Sequence, residues 1–254
     1  MRSLRAFAKV LHALVYALWG WYLIRLRFPH WEPARRDATV QEWARGMLRV
    51  LGIPLHVQGE PPAHGPVLLV ANHLSWLDIL VMHAARHSRF VSKSDVKHWP
   101  LIGALATGGG TLYIEREKRR DAMRVVHHMA ESLKAGDIVA VFPEGTTGDG
   151  RALLPFHGNL IQAAISAHAP VQPVALRFVD AATGEDSKGP LYLGDDTLLD
   201  SLWRTLAGRP FMARVRFGAP QVAGQRDRRE WAHDLREAVA ALHSESFGFP
   251  PPRE

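Results

Sequence analysis

A histidine and a carboxylate lie close together in the segment Asn72-His-Leu-Ser-Trp-Leu-Asp78. The segment follows a short apolar run and precedes a helical pattern, which predicts a strand-to-helix turn. Such a turn exposes its residues at the carboxyl edge of a sheet, where ligand sites are common. Asp78, one helical turn into the helix, can bind one ring nitrogen of His73 and fix its tautomer. This pair suits acyl transfer to an alcohol, because the attacking hydroxyl must lose its proton to a general base.

The same residues also allow a purely structural interpretation. Ser75 and Asp78 have the spacing of a helix capping box, and on this segment alone the two interpretations are about equally good. A serine hydrolase would have to use Ser75 with His73 and Asp78. These three lie too close in sequence to present an independent nucleophile, and the Gly-x-Ser-x-Gly pattern does not occur.

Three further segments place polar residues at the ends of predicted strands. Phe142-Pro-Glu-Gly-Thr-Thr147 follows one apolar run, and its glycine lets backbone approach a ligand closely. Gly110-Thr-Leu-Tyr-Ile-Glu-Arg116 ends with an arginine, whose fork of donors can grip phosphate. Val171-Gln-Pro-Val174 begins another strand. Both charged residues also have a purely structural interpretation. Arg116 could be a solvated charge at the end of its strand, and Glu144 could form an ion pair.

In this order, the four segments resemble the signature of the glycerol-phosphate and lysophospholipid acyltransferase family: NHxxxxD, a Gly…Arg segment, Glu-Gly-Thr and a Pro-Val strand. The resemblance runs from about residue 67 to 176. Weaker similarity continues through Phe156-His-Gly158 and Arg214-Val-Arg-Phe-Gly218. The first segment is specific for the family, and all four together are hard to obtain by chance.

The resemblance implies a role for each matching residue. His73 is expected to be the general base and Asp78 its orienting partner. The acceptor phosphate is expected to bind Arg116, at a site that Glu144, Gly145 and Thr146 help to shape. Lys93 resembles a basic position that the family places near the site.

The resemblance also implies the substrates. The expected donor is an acyl thioester of coenzyme A or acyl carrier protein, the expected acceptor is a lysophospholipid such as lysophosphatidic acid, and no cofactor or metal is expected. Transfer would be direct, without a covalent enzyme intermediate. Many relatives have arginine after Glu-Gly-Thr, whereas this chain has Thr147, with Arg151 or Lys93 as possible substitutes. Some members of the family acylate lyso-ornithine lipid, so a non-phosphate acceptor stays open.

The elements that would position these residues alternate along the chain. Short apolar runs predict seven strands, and the stretches between most of them have helical periodicity. The predicted strands are Leu55–Gln58, Val67–Ala71, Arg89–Ser92, Thr111–Glu115, Ile138–Phe142, Val171–Phe178 and Ala213–Phe217. The predicted helices are Trp76–Ala85, Val96–Thr107, Arg119–Ala135, Asn159–Ala167 and about Arg228–His243. This alternation predicts an α/β fold with a largely parallel central sheet flanked by helices.

Two helices are predicted ahead of the first strand. Val10–Ile24 is apolar except for His12, is bracketed by basic residues, and is short for a spanning helix unless it is extended towards Leu4. No small-residue cleavage site follows, which disfavours a signal peptide. Thr39-Val-Gln-Glu42 has the pattern of a capping box at the start of the second helix. Residues 1–54 are therefore expected to form a membrane-associating element, and 55–254 the acyltransferase domain.

The distribution of charge supports a membrane partner. Residues 1–54 carry nine Lys or Arg and three acids, so the whole net charge of +6 lies there. A nucleic-acid-binding domain would spread basic residues over its folded surface, and no such partner is expected. A basic, apolar N-terminus favours an anionic membrane surface, and the active site is expected at the cytoplasmic face of the inner membrane. A non-catalytic membrane-binding protein of the same fold is a competing hypothesis.

The composition and the spacing of one histidine pair limit the metal sites and nucleophiles that the chain can use. The absence of cysteine excludes disulfides, thiolate nucleophiles and cysteine-based metal sites. His83 and His87 lie one helical turn apart and could share a metal ion, but Ala84 stands where the zincin pattern needs glutamate. A surface or partly buried pair is expected instead.

Overall fold

A computed structural model describes residues 2–114 and 119–245, which contain seven strands and eight α-helices. The helices are α1 (Arg2–Tyr22), α2 (Pro33–Leu51), α3 (Leu77–Ala85), α4 (Ile102–Gly108), α5 (Arg119–Lys134), α6 (Gly158–Ala167), α7 (Leu198–Ala207) and α8 (Arg228–Ser244). The strands are β1 (Leu55–Gln58), β2 (Val67–Ala71), β3 (Arg89–Lys93), β4 (Leu112–Ile114), β5 (Ile138–Val141), β6 (Val171–Asp180) and β7 (Phe211–Phe217).

The strands form one sheet in the order β1-β7-β6-β2-β5-β3-β4. The five strands from β6 to β4 are parallel, whereas β7 runs antiparallel to β6 and carries β1 parallel to itself. The expected largely parallel α/β fold is therefore confirmed, with the reversal confined to one edge.

Strand β2 lies at the middle of the sheet because its residues are apolar on both faces. Val67, Leu69 and Ala71 pack into the hydrophobic core on one side, and Leu68 and Val70 pack into the core on the other. The alternation follows from the two-residue period of a strand. The first core is shared with α1, α2, α3 and α7, and the second with α5, α6 and α8.

Three local predictions need correction. Helix α2 begins at Pro33, six residues before the predicted capping box, and Thr39 lies inside it, where its hydroxyl donates to the Arg35 carbonyl at 2.8 Å. Proline favours the first helical turn because its missing N–H has no partner there anyway. The predicted helix Val96–Thr107 is divided into a 3-10 turn, Ser94–His98, and α4. Helix α7 was not predicted at all.

Helix α1 lies against the domain on one side only. Its Tyr16 ring stacks on Trp43 of α2, and Ala6 is fully buried. Large apolar side chains face outward at helical spacing, including Leu4, Phe7, Leu11, Leu14 and Leu18, which are 49–74% exposed. In the described residues, Ser3–His30 is the helical segment long and apolar enough to cross a membrane, a test that signal sequences and core helices also pass.

Candidate active site

Adjacent parallel strands bring the predicted site residues to one edge of the sheet. His73 follows β2, Glu144 follows β5, and Lys93 ends β3, and these three strands are neighbours in the order β2-β5-β3. Because parallel strands end at the same edge, their following residues converge there. Strand β4 lies next in the sheet, but Arg116 beyond it lies outside the described residues.

His73 is paired with Asp78 as the sequence predicts. Its Nδ1 lies 2.8 Å from Asp78 Oδ2, and its side chain is 19% exposed, whereas the Asp78 side chain is fully buried. A carboxylate oxygen accepts, so Nδ1 carries the hydrogen and Nε2 is left with its lone pair. The pair therefore presents a basic nitrogen at a partly open position.

Asp78 also binds the backbone of the turn. Its Oδ2 accepts from Leu74 N at 2.6 Å and from Ser75 N at 2.8 Å, besides the imidazole. The Ser75 hydroxyl accepts from Leu77 N at 3.3 Å, whereas Asp78 N donates to the Ser75 carbonyl at 3.1 Å, so only the half of the predicted capping box in which Asp78 accepts from Ser75 N is formed. One carboxylate oxygen of Asp78 therefore both holds the backbone of the turn and orients His73.

Glu144 holds the backbone on which His73 lies. One of its carboxylate oxygens accepts from His73 N at 2.7 Å, and the other accepts from Leu154 N at 2.9 Å. Only 5% of the residue is exposed, and this burial raises the pKa of the Glu144 carboxyl, an effect that its two backbone hydrogen bonds oppose. The carbonyl of His73 accepts from Gly148 N at 2.8 Å. Both backbone groups of His73 are therefore fixed by the segment after β5.

Gly145 and Thr146 follow Glu144 at the surface of the site. Gly145 has a φ of 72°, and a Cβ there would lie 3.3 Å from Nε2 of His157. A left-handed backbone and this close approach both favour glycine. Thr146 is exposed, so its side chain is open to a ligand at this edge.

An aromatic ring stacks against one face of the His73 imidazole. The His73 ring lies parallel to Phe142 with centroids 4.1 Å apart, and Phe142 stacks on Phe90 at 5.7 Å. Phe90 in turn contacts His83 edge to face at 4.9 Å. The role of Phe142 was not predicted, although its place immediately before Pro-Glu-Gly-Thr is a usable signal.

Asn72 is a second residue whose role sequence reasoning missed. It is fully buried, and its side-chain amide donates to the Leu176 carbonyl at 3.0 Å while its oxygen accepts from Leu176 N at 2.7 Å. These bonds continue the β2–β6 pairing by one residue beyond Ala71. Asn72 thereby fixes the point at which the chain leaves the sheet towards His73.

Thr147 is engaged with the long loop before α7. Its hydroxyl donates to the carbonyl of Tyr192, whose N–H donates to the Leu74 carbonyl at 3.0 Å. Arg151 is largely exposed, with its guanidinium 3.7 Å from Asp149, and Lys93 is exposed at the end of β3. Thr147 therefore links the two loops beside the turn that holds His73 and brings no charge to it.

His83 and His87 form a stacked pair beneath the site. Their Nδ1 atoms are 3.3 Å apart, and His87 Nε2 lies 3.2 Å from Asp37 Oδ1. Burial, and then the neighbouring His87, lowers the pKa of His83 to about 3. Within the described ranges no group of three or more potential ligands is placed to hold a metal ion.

Comparisons with known proteins first define the class. A sequence model of the family described as Acyltransferase matches residues 54–177, a range that holds the turn with His73 and the segment with Glu144. A crystal structure of the 1-acyl-sn-glycerophosphate acyltransferase PlsC from Thermotoga maritima has the same fold. It gives a TM-score of 0.74 at 20% identity and covers 98% of this chain and 100% of that one.

Sequence relatives then define the family. A 1-acyl-sn-glycerol-3-phosphate acyltransferase of Neisseria meningitidis is 38% identical over 83% of this chain and 82% of its own length. A lyso-ornithine lipid O-acyltransferase of Pseudomonas aeruginosa is 36% identical over 94% of this chain and 91% of its own. The chain is thus an enzyme that belongs to the lysophosphatidic acid and lysophospholipid acyltransferase family.

Proposed function

We propose that this enzyme transfers a fatty acyl group from a thioester of coenzyme A or acyl carrier protein to the free hydroxyl of lysophosphatidic acid, giving phosphatidic acid. The observation that carries the chemistry is the contact of 2.8 Å between His73 Nδ1 and Asp78 Oδ2. It leaves Nε2 of a partly exposed imidazole to accept the hydroxyl proton.

The proposed reaction is one direct acyl transfer. His73 Nε2 takes the proton as the acceptor oxygen attacks the thioester carbonyl, and Asp78 stabilises the imidazolium that forms. The carbon–sulfur bond then breaks, and the proton passes from His73 to the leaving thiolate. The new ester bond and the released thiol account for all atoms, so the reaction consumes no co-reactant besides the two substrates.

Lysophosphatidic acid is the first proposed acceptor because its phosphate suits the basic residues expected at this edge. Lys93 ends β3, beside the strand that leads to Arg116. The acceptor is proposed to lie against Gly145 and Thr146, on the segment that Glu144 anchors. The relative from Neisseria meningitidis, named for 1-acyl-sn-glycerol-3-phosphate, supports this choice.

A lyso-ornithine lipid is the second proposed acceptor, and Thr147 favours it. The residue brings no charge to the site, and its hydroxyl is bound to Tyr192. The relative from Pseudomonas aeruginosa, which is named for this acceptor, aligns with more of the chain than the Neisseria meningitidis relative does. The chemistry at His73 would be the same for both acceptors.

The membrane surface is proposed as the place of reaction, with the site at the cytoplasmic face of the inner membrane. Helix α1 turns an apolar face away from the domain, and basic residues lie at both of its ends. Helix α7 packs against α1 and exposes Leu199 and Trp203, one helical turn apart. Apolar faces flanked by cations fit the interface of an anionic bilayer.

Product formation with defined substrates tests this proposal. Detergent-purified protein would receive labelled long-chain acyl-CoA, or the same chain on acyl carrier protein, with lysophosphatidic acid or lyso-ornithine lipid as acceptor. We expect labelled phosphatidic acid, and a clear preference for one donor. Labelled ornithine lipid alone would replace the first acceptor by the second. No product in any of the four combinations would refute the proposal.

A further inference from the structure

An arginine of α8 reaches the segment that anchors Glu144. Arg236 Nη2 donates to the Leu153 carbonyl at 2.7 Å, and its Nε donates to the Leu154 carbonyl at 3.2 Å. Its Nη1 contacts the Glu237 carboxylate at 2.7 Å, and 31% of the side chain is exposed. The guanidinium therefore holds two consecutive carbonyl groups of the chain between β5 and α6.

One peptide group connects this arginine to the site. The Leu153 carbonyl and the Leu154 N–H belong to the same peptide plane, and that N–H donates to Glu144 Oε2 at 2.9 Å. A cation at the oxygen of a peptide group polarises it and strengthens its N–H as a donor. The other oxygen of Glu144 accepts from His73 N, so the connection ends at the backbone of the histidine.

We propose that Arg236 is a positioning residue for acyl transfer, acting through the Leu153–Leu154 peptide and Glu144 on the placement of His73. The inference rests on the proposed role of His73 as general base. Burial of Glu144 disfavours its charged form, and only that form offers both oxygens purely as acceptors. The polarised peptide offsets this cost and keeps both backbone bonds in place.

The expected signature of a positioning role is a change in kcat with little change in KM. Arg236→Ala is expected to lower kcat about tenfold, because a small displacement of a general base is costly. KM for donor and acceptor should stay within about twofold, because Arg236 lies outside the substrate-contacting residues. Arg236→Lys should recover part of the loss, since it restores the charge and one donor.

Arg226 provides a matched control. It also binds two backbone carbonyls, of Val222 and Ala223, and one carboxylate, of Asp234, and its side chain is likewise 31% exposed. Val222 and Ala223 lie before α8 and Asp234 lies within it, and none of the three is hydrogen-bonded to Glu144. Arg226→Ala should therefore leave kcat within about twofold of wild type.

A double-mutant cycle with Glu144→Gln tests the route of the effect. If Arg236 acts through Glu144, Arg236→Ala should lower kcat by less than about twofold in the Glu144→Gln background. A full tenfold loss in that background, or an equal loss in Arg226→Ala, would overturn the inference. An unchanged kcat in folded Arg236→Ala would also overturn the inference.

Circular dichroism identifies the folded variants, and Arg236→Lys provides the same test if the alanine variant does not fold. All values are ratios to wild type, so absent wild-type activity would refute the proposed function instead.

Discussion

At the residue scale, Thr147 is proposed to set the charge that the acceptor headgroup meets. Thr147→Arg adds a guanidinium beside the turn that holds His73 and removes the hydrogen bond to Tyr192. We expect kcat/KM for lysophosphatidic acid, relative to lyso-ornithine lipid, to rise about tenfold, because arginine binds phosphate through charge-assisted hydrogen bonds. The ratio is measured with both acceptors in one assay.

Thr147→Val is the control for this substitution, since it removes the same hydrogen bond without adding charge. It should leave the ratio of the two acceptors within about twofold. An equal rise in both variants would show that the contact with Tyr192, and not the charge, determines the preference.

His83 gives a pH-dependent prediction at the same scale. Its pKa is lowered from 6.5 to about 3 in the folded protein, so the unfolded chain binds one more proton between these values. His83 alone should therefore contribute a fall of about 1.4 kcal/mol per pH unit to the free energy of unfolding as the pH drops from 6 to 4. His83→Gln should reduce this slope in denaturant unfolding at a series of pH values. The same slope in His83→Gln and wild type would contradict the account, and exposed His64→Gln is the control.

The residues of the site were predictable to different degrees. His73 and Asp78 could be paired from the sequence because a strand-to-helix turn places them within one helical turn. The bonds of Glu144 could not, because its partners are backbone N–H groups of His73 and Leu154, and backbone donors carry no residue-specific signal. The contacts of Arg236 could not be predicted either, because its partners are backbone carbonyl groups more than 80 residues away in the chain.

At the element scale, the pairing of β2 with β6 depends on Asn72. Asn72→Ala removes two buried hydrogen bonds to Leu176 and leaves the N–H and the carbonyl of Leu176 without those partners. We expect the free energy of unfolding to fall by about 2–4 kcal/mol, as measured by denaturant titration in detergent. Gln41→Ala, which removes a partly buried bond to the Ala85 carbonyl, should cost no more than about 1 kcal/mol. A cost for Asn72→Ala as small as that of the control would contradict this role.

The elements themselves were largely predictable, and the exceptions have physical causes. All seven strands were found, and β2 and β5 were the clearest because buried parallel strands form continuous apolar runs, as in Val67–Ala71. The predicted start of α2 was wrong because Thr39-Val-Gln-Glu42 fits a capping box. The first turn of the helix, which precedes that segment, is polar and has no apolar residues at helical spacing to indicate a helix. Helix α7 was missed although Leu198, Leu202 and Leu206 repeat at helical spacing, and two further apolar residues, Leu199 and Trp203, face away from the core.

At the scale of the whole molecule, the outward face of α1 gives the enzyme its proposed orientation on a bilayer. Phe7→Glu combined with Leu11→Glu places two charges on side chains that are 60% and 54% exposed. We expect binding to vesicles containing anionic lipid to fall more than tenfold, because each lost apolar contact is worth about 1.5–3 kcal/mol. Cosedimentation with the vesicles measures the change.

Met123→Glu and Val222→Glu are the controls for this prediction, since these residues are 73% and 69% exposed on other elements. They should bind vesicles as the wild type does. Equal binding by the Phe7 and Leu11 double variant would show that attachment does not use this face of α1. Circular dichroism would show whether the helix content is unchanged in every variant.

The general-base role of His73 is tested by comparing kcat for acyl transfer in wild type and His73→Ala. Both proteins would be assayed with a saturating donor and whichever acceptor the wild type uses, and His64→Ala would serve as the matched change of an exposed histidine. If His73 is the general base, kcat should fall about 10²–10⁴-fold in His73→Ala alone. A folded His73→Ala protein that keeps a tenth or more of the wild-type kcat would contradict the account.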